Sequence, residues 1–259
     1  MQTTTVTRKT AAKKAATSKM AAKSASGKRT STKAKRTAAN EAAPKPARKA
    51  PARATAPALA DSSREALIQA AIAEFSASGL AGARVDEIAA VAGVNKQLVY
   101  HYFGSKDGLY QAALEVVYGR IRAREQEFEL GEMAPLAAME QFVGFSFDYL
   151  ADHPEFISLL NDENRHGASH LQRSGSVQSM HMPLVSMMEE TLKKGIAQGV
   201  FSASLNAIDL YISIAALSYF FFSNNRTLST VFNKKLDTPA ARAARRRHVI
   251  EFVLKAVRP

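Results

Sequence analysis

The chain has 259 residues, is 46% hydrophobic, contains no cysteine and carries a formal net charge of +12. That apolar content can bury a core, and the missing thiols exclude disulfide scaffolds, thiolate metal sites and cysteine nucleophiles. No run of some twenty apolar residues is free of polar interruption, which argues against a membrane span and points to a cytoplasmic protein.

The charge is unevenly placed. Residues 1–60 hold fifteen Lys and Arg against one acid, Glu41, a net of +14, and the rest of the chain sums to −2. This first segment is Ala, Lys, Thr, Ser and Pro with almost no large apolar side chain, so it cannot offset its ordering entropy and is expected to be a disordered basic arm. The same composition describes an organelle transit peptide, whereas the apolar stretch of a secretory signal is missing.

From Asp61 onward, apolar residues recur at spacings of three and four and hairpin-type alternation is absent, so the fold class is all-α. Asp61 or Ser62 caps a first helix through Ile68, Ile72 and Phe75, ending near Gly79. Short helices follow at about Val85–Ala92 and Lys96–Tyr102, and Ser105 caps a long fourth helix reaching about Phe128. Further helices are expected near 134–151, 154–164, 176–198, 206–224 and 239–257; Pro135, Pro154 and Pro239 each sit in a first turn, where proline is best tolerated.

The informative stretch runs from Ala83 to Tyr110. A short helix meets Gly93, which can take the positive φ of a tight turn, and Asn95 can cap the next helix: helix, turn, helix with about three residues between. At about 100° per residue, Leu98, Val99, Tyr102 and Phe103 fall on one face of that next helix and Lys96, Gln97, Tyr100 and His101 on the other. The second face carries what base reading needs. Gln bonds adenine edges, Lys reaches guanine or phosphate, and Tyr touches a thymine methyl or donates to phosphate. Lys106, opening the fourth helix, is a phosphate contact of the same kind, and Arg84 and Asn95 flank the unit.

These residues resemble a known family. The segment from about Ser62 to Arg122 is similar to the DNA-binding domain of TetR-type repressors in its Ile88-Ala89, Ala92-Gly93-Val94, Tyr100-His101-Tyr102-Phe103 and Ser105-Lys106 elements, with Leu109 and Tyr110 following. Two positions depart from the family pattern: Asn95 replaces a Ser cap, and Arg84-Val85 replaces a Thr-containing start of the second helix. The resemblance implies a three-helix DNA-binding domain over residues 61–122 and an all-helical ligand-binding and dimerisation domain over 123–259. It also implies a homodimer on a palindromic double-stranded DNA operator and release by a small-molecule effector. Asp209–Leu217 and Asn224–Phe232 resemble the branch regulating pyrimidine and nicotinate catabolism, which implies a small planar heterocycle as effector.

For the pocket, the residues that supply an apolar cleft with a few convergent polar groups are Phe142, Phe145, Tyr149, Phe156 and Tyr219 with Asn161, Asn164 and Arg165. Arg165 has the planar fork that suits a carboxylate, or it pairs with Asp162 or Glu163. For the dimer face the candidates are Ile212, Ile214, Leu217, Phe220 and Phe221, with Phe252 and Val253 on the last helix. His166, His170 and His181 lack a completing carboxylate or Cys, so no metal and no other cofactor is expected, and no nucleophile elbow, phosphate loop or metal-helix motif suggests an enzyme. The rival assignment is a nucleoid-type structural protein acting mainly through the basic arm.

Overall fold

The computed structural model describes residues 56–128 and 130–259, so the basic arm expected over residues 1–60 lies, up to residue 55, outside the described residues. The elements are α1 (Ala56–Gly82), α2 (Val85–Val91), α3 (Gln97–Phe103), α4 (Lys106–Gln126), a 3₁₀ turn at Leu130–Glu132, α5 (Pro135–Asp152), α6 (Pro154–Arg165), α7 (Ser169–Arg173), α8 (Gly175–Ala197), α9 (Ala207–Ser223), α10 (Asn225–Val231) and α11 (Pro239–Ala256). No strand occurs among the described residues. No single helix among them is long and apolar enough to cross a membrane, although α9 and α10 pass that test as a pair bent by 70°.

The helix starts are those the caps dictate. Ser105 Oγ accepts from the Gly108 amide at 3.0 Å, Asn206 Oδ1 from Ile208 at 2.9 Å, and Thr238 Oγ1 from Ala241 at 3.2 Å. The expected end of α1 at Gly79 is a break within it, since Gly79 leaves helical geometry at φ 68° and one further turn follows. Two helices were not anticipated. α7 spans five residues between Gly167 and Ser174, and α10 only seven. α7 is too short to display a helical period, and α10 buries none of its residues, so no apolar face marks it in the sequence.

Two cores organise these helices. The first joins Leu67, Ile68 and Phe75 of α1, Ile88 of α2, Val99 of α3, Tyr110, Leu114 and Val117 of α4, and Phe156, Ile157 and Leu159 of α6. The second joins Met139, Phe142 and Phe147 of α5, Leu184 and Met188 of α8, Leu210, Ile214 and Phe221 of α9, and Val249, Ile250 and Val253 of α11. Helices as short as α2 and α3 are not stable alone. Fully burying Ile88 and Val99 contributes roughly 1.5–3 kcal/mol each and pins them to α1 and α4. The first core does not stop at the boundary expected near residue 122. α6 packs on α1 as a member of the reading unit's own core.

Candidate DNA-reading face and sensor core

α3 divides as its wheel requires. Val99 is fully buried, Leu98, Tyr102 and Phe103 pack partly buried on the first core, and Lys96, Gln97, Tyr100 and His101 are exposed. Tyr100 stands 52% exposed, a large aromatic held in solvent beside polar neighbours. Gly93 makes the turn at φ 69°, where a side chain would be strained. Asn95 is occupied by that turn, its Oδ1 accepting from the Gln97 amide at 2.9 Å, so it shapes the helix start. Lys96 Nζ lies 3.0 Å from Asp86 Oδ1, and that hydrogen bond raises its pKa, so the ammonium charge persists. Arg84 pairs loosely with Glu87 at 3.6 Å, and Lys106 Nζ donates to the Ala81 carbonyl at 3.4 Å. All three cations sit in solvent-accessible contacts that can exchange for phosphate. Gly108 fixes the junction behind the reading face. A Cβ there would stand 2.0 Å from the Phe103 carbonyl oxygen, so only glycine lets α4 approach the end of α3 this closely.

The sensor residues fall differently from their expected places. Phe142 is 2% exposed in the second core, whereas Phe145, Tyr149 and Phe156 belong to or pack against the first, so the four do not line one cleft. Asn161, Asn164 and Arg165 are exposed on α6; Arg165 pairs with Asp162, and Asn161 accepts from the Tyr219 hydroxyl. Together they cannot form a buried polar floor, because the buried stripe of α6 runs through Phe156, Leu159 and Glu163 instead.

A polar cluster not anticipated from sequence lies inside the bundle at the far end of α4. Arg122 and Glu125 are both 4% exposed, with Arg122 Nη1 2.8 Å from Glu125 Oε2. Arg122 Nη2 donates to the Tyr211 hydroxyl of α9 at 3.4 Å, and the guanidinium stands 5.9 Å from that ring's centre. Tyr118, one turn before, meets Phe156 edge-on and tilts against His181 of α8. Burial sets the ionisation here. It lifts Glu125 to about 7 against the opposing pull of Arg122, raises Tyr118, and lowers His181. The signal for this cluster was present: Arg122 and Glu125 continue the stripe Leu114, Tyr118 and Ile121, so two charges stand in phase with the buried face of α4.

A second buried network ties α6 to the reading unit. Asp162 accepts from the Leu80 amide at 2.7 Å, at the α1 break. Fully buried Glu163 accepts from the His170 and Leu171 amides at 2.7 and 3.0 Å and meets His170 Nδ1 at 2.7 Å. His170 Nε2 lies 3.3 Å from Asp107 in the first turn of α4. His166 and His181 each bond a carbonyl of their own helix, and no group of three potential metal ligands occurs among the described residues.

The dimer candidates separate by phase. Ile214, Phe221 and Val253 are buried in the second core and Leu217 is half-buried, so the first three face their own chain. Ile212, Phe220 and Phe252 are 56%, 57% and 52% exposed, and Ile208, one turn before Ile212, is 53% exposed. This leaves an apolar stripe along α9 beside Phe252 of α11.

Residues 67–113 match the family described as bacterial regulatory proteins, tetR family, and residues 135–253 match the tetracyclin repressor-like C-terminal domain. The HTH-type transcriptional repressor NicS of Pseudomonas putida is 31% identical over 199 residues, covering 77% of this chain and 94% of that protein. The HTH-type transcriptional regulator RutR of Escherichia coli is 33% identical over 107 residues, 41% of this chain and 50% of that protein. In fold, the chain is similar to the crystal structure of a transcriptional regulator from Streptomyces coelicolor, with a TM-score of 0.57 and 23% identity over 76% of this chain and 99% of that one.

Proposed function

The chain belongs to the tetR family of bacterial regulatory proteins, and from that premise we propose that it is a cytoplasmic repressor that grips a near-palindromic operator as a two-fold dimer and releases it when a small molecule enters the sensor. The observation that carries this is the exposed face of Lys96, Gln97, Tyr100 and His101, held outward by the buried Val99. In this reading Gln97, Tyr100 and His101 meet base edges in the major groove, while Lys96, Lys106 and Arg84 hold phosphates. Two copies pair through Ile208, Ile212, Phe220 and Phe252, an exposed apolar surface that suits a four-helix interface of α9 and α11 with their counterparts.

In this reading the effector is sensed where α4, α8 and α9 meet, at the buried cluster of Arg122, Tyr118, His181 and Tyr211. α4 then carries the signal. Arg122 lies fifteen residues from Asp107 on one helix, about 22 Å at 1.5 Å per residue. A shift at the sensor end therefore reaches the network of Asp107, His170 and Glu163 beside the reading head. A ligand favouring the unbound form a hundredfold supplies about 2.7 kcal/mol, enough for release.

Selection from random duplexes by the full chain tests the assignment. Enrichment of a near-palindrome with half-sites about one DNA turn apart is expected; enrichment of no sequence, or of an unrepeated one, contradicts it.

A further inference from the structure

We propose that the cleft between α8 and the start of α5 binds an unbranched aliphatic monocarboxylate, its chain running toward the second core and its carboxylate held at Lys193 and Lys194. None of the residues around Arg122 lines this cleft, and the proposal stands independently of the repressor reading.

A cavity of about 370 Å³ opens where the C-terminal half of α8 passes the 3₁₀ turn and the first residue of α5. That is within the size range of small-molecule sites. Met133, Pro135, Met187 and Ala197 supply its apolar walls. Behind it, in the second core, a slot of about 10 Å³ lies among Ala138, Met139, Phe142 and Met188. Met187 and Thr191 line both spaces and so form the wall between them. The Thr191 hydroxyl donates to the Met187 carbonyl of its own helix at 2.9 Å, so that wall offers no free proton to a polar ligand. Met187 is half-buried and unbranched, and rotation of its side chain joins the slot to the cavity. Four of the eight methionines of the chain line these two spaces. Their flexible thioethers yield to an inserted chain, whereas branched side chains would clash with it.

The rim selects the head group. Lys193, Lys194 and Glu190 are exposed at the edge of the cavity, two ammonium groups against one carboxylate. Lys194 Nζ donates to the Gly131 carbonyl of the 3₁₀ turn, a neutral acceptor that leaves its charge uncompensated. An apolar interior below a net positive rim suits an amphiphile with an anionic head. Burial of the tail supplies the affinity, and the ammonium groups hold the head at the water boundary. A cationic head would be repelled, and a neutral one would gain nothing from the lysines. A slot that widens only by side-chain rotation admits a single chain more readily than a rigid ring.

The test uses the full chain with carbon-13 labelled methionine methyls, titrated with hexanoate, octanoate and decanoate, and with octylamine, octanol and benzoate. Octanoate is expected to shift the methyls of Met133, Met139, Met187 and Met188. Met180 and Met182, which line neither space, should stay in place. Affinity should rise about fourfold with each added methylene from hexanoate to octanoate, and octylamine and benzoate should bind at least tenfold more weakly than octanoate. Ala197→Trp, which fills the outer cavity from an exposed position, should lose octanoate binding. Lys193→Glu with Lys194→Glu should weaken octanoate at least fivefold and leave octanol unchanged. The proposal is overturned if no carboxylate shifts the four methyls, if Met180 and Met182 shift as much, or if octylamine or benzoate binds as tightly as octanoate. It is overturned equally if affinity does not depend on chain length, or if either folded variant binds octanoate unchanged. Should a variant fail to fold, the methyl shifts and the ligand series in the wild type still decide.

Discussion

The carboxylate of Glu163 and the imidazole of His170 meet at 2.7 Å where both side chains are buried, and the far nitrogen of that ring reaches Asp107 at the start of α4. One side-chain pair thus joins α6, α7 and the helix that leads to the reading face. His170→Phe keeps the ring and its edge contact with Tyr110, at 4.9 Å between centres, but strips Glu163 of a partner. Leaving a buried polar group unpaired costs about 1–3 kcal/mol, more when it is charged. Urea unfolding should show a loss in that range or above it, with a weaker effector response on operator DNA. A change under about 0.5 kcal/mol, which is typical of surface sites, would remove the network from the account.

The reading face makes a prediction that separates its residues. Gln97→Ala should relax base preference at one position of each half-site by about 1–3 kcal/mol, whereas Lys106→Ala should weaken all duplexes alike and lower the salt slope by about one. Binding titrations of the operator and its single-base variants at two salt concentrations check both. Unchanged preference in Gln97→Ala would displace that residue from the base-reading role.

Gly108→Ala tests the junction behind that face. The added Cβ would lie 2.0 Å from backbone rather than from a side chain that could move aside. α3 must then shift relative to α4, so operator affinity is expected to fall at least tenfold with little change in helix content by circular dichroism. Wild-type affinity would show that the approach of α4 to α3 does not position the reading helix.

Glu125 gives a pH signature. Its folded pKa of about 7 stands above the ordinary carboxylate value because burial penalises the charged form. Between about pH 4.5 and 7 the folded chain holds a proton that the unfolded chain has lost, so this residue makes stability fall as pH rises through that window and then level off. Glu125→Gln should match the wild type near pH 4 and exceed it above pH 7, by an amount on the order of 3 kcal/mol. Unfolding midpoints across pH 4–8 for both proteins decide it. Parallel curves would mean that Glu125 titrates normally.

The reading unit was legible in sequence because its signals agree: a wheel with apolar residues on one side, a glycine turn, a capped start to α4, and a motif in matching order. The sensor was less legible, because Phe142, Ile214, Phe221 and Val253 are the residue types that line pockets and interfaces as well as cores. On α9, phase decides. Leu210, Ile214, Ser218 and Phe221 turn inward, whereas Ile208, Ile212 and Phe220 recur at multiples of four on the exposed side. Arg122 and Glu125 escaped notice because a charged pair three residues apart on a helix is most often a solvated one, and only their register with Leu114, Tyr118 and Ile121 marks them as buried.

That exposed stripe predicts the assembly. Ile212→Asp combined with Phe220→Asp should leave monomers by light scattering at micromolar concentration and abolish operator binding, since one reading head spans only half a palindrome. A dimer that survives both changes would move the interface elsewhere.

The most direct measurement is the affinity of the full chain for its selected palindrome against a scrambled duplex of the same length, in salt near physiological strength. A reading head that recognises sequence predicts a preference of about a thousandfold or more. Near-equal affinities that collapse together as salt rises would contradict it, and would assign the binding to the basic residues 1–60 rather than to α3.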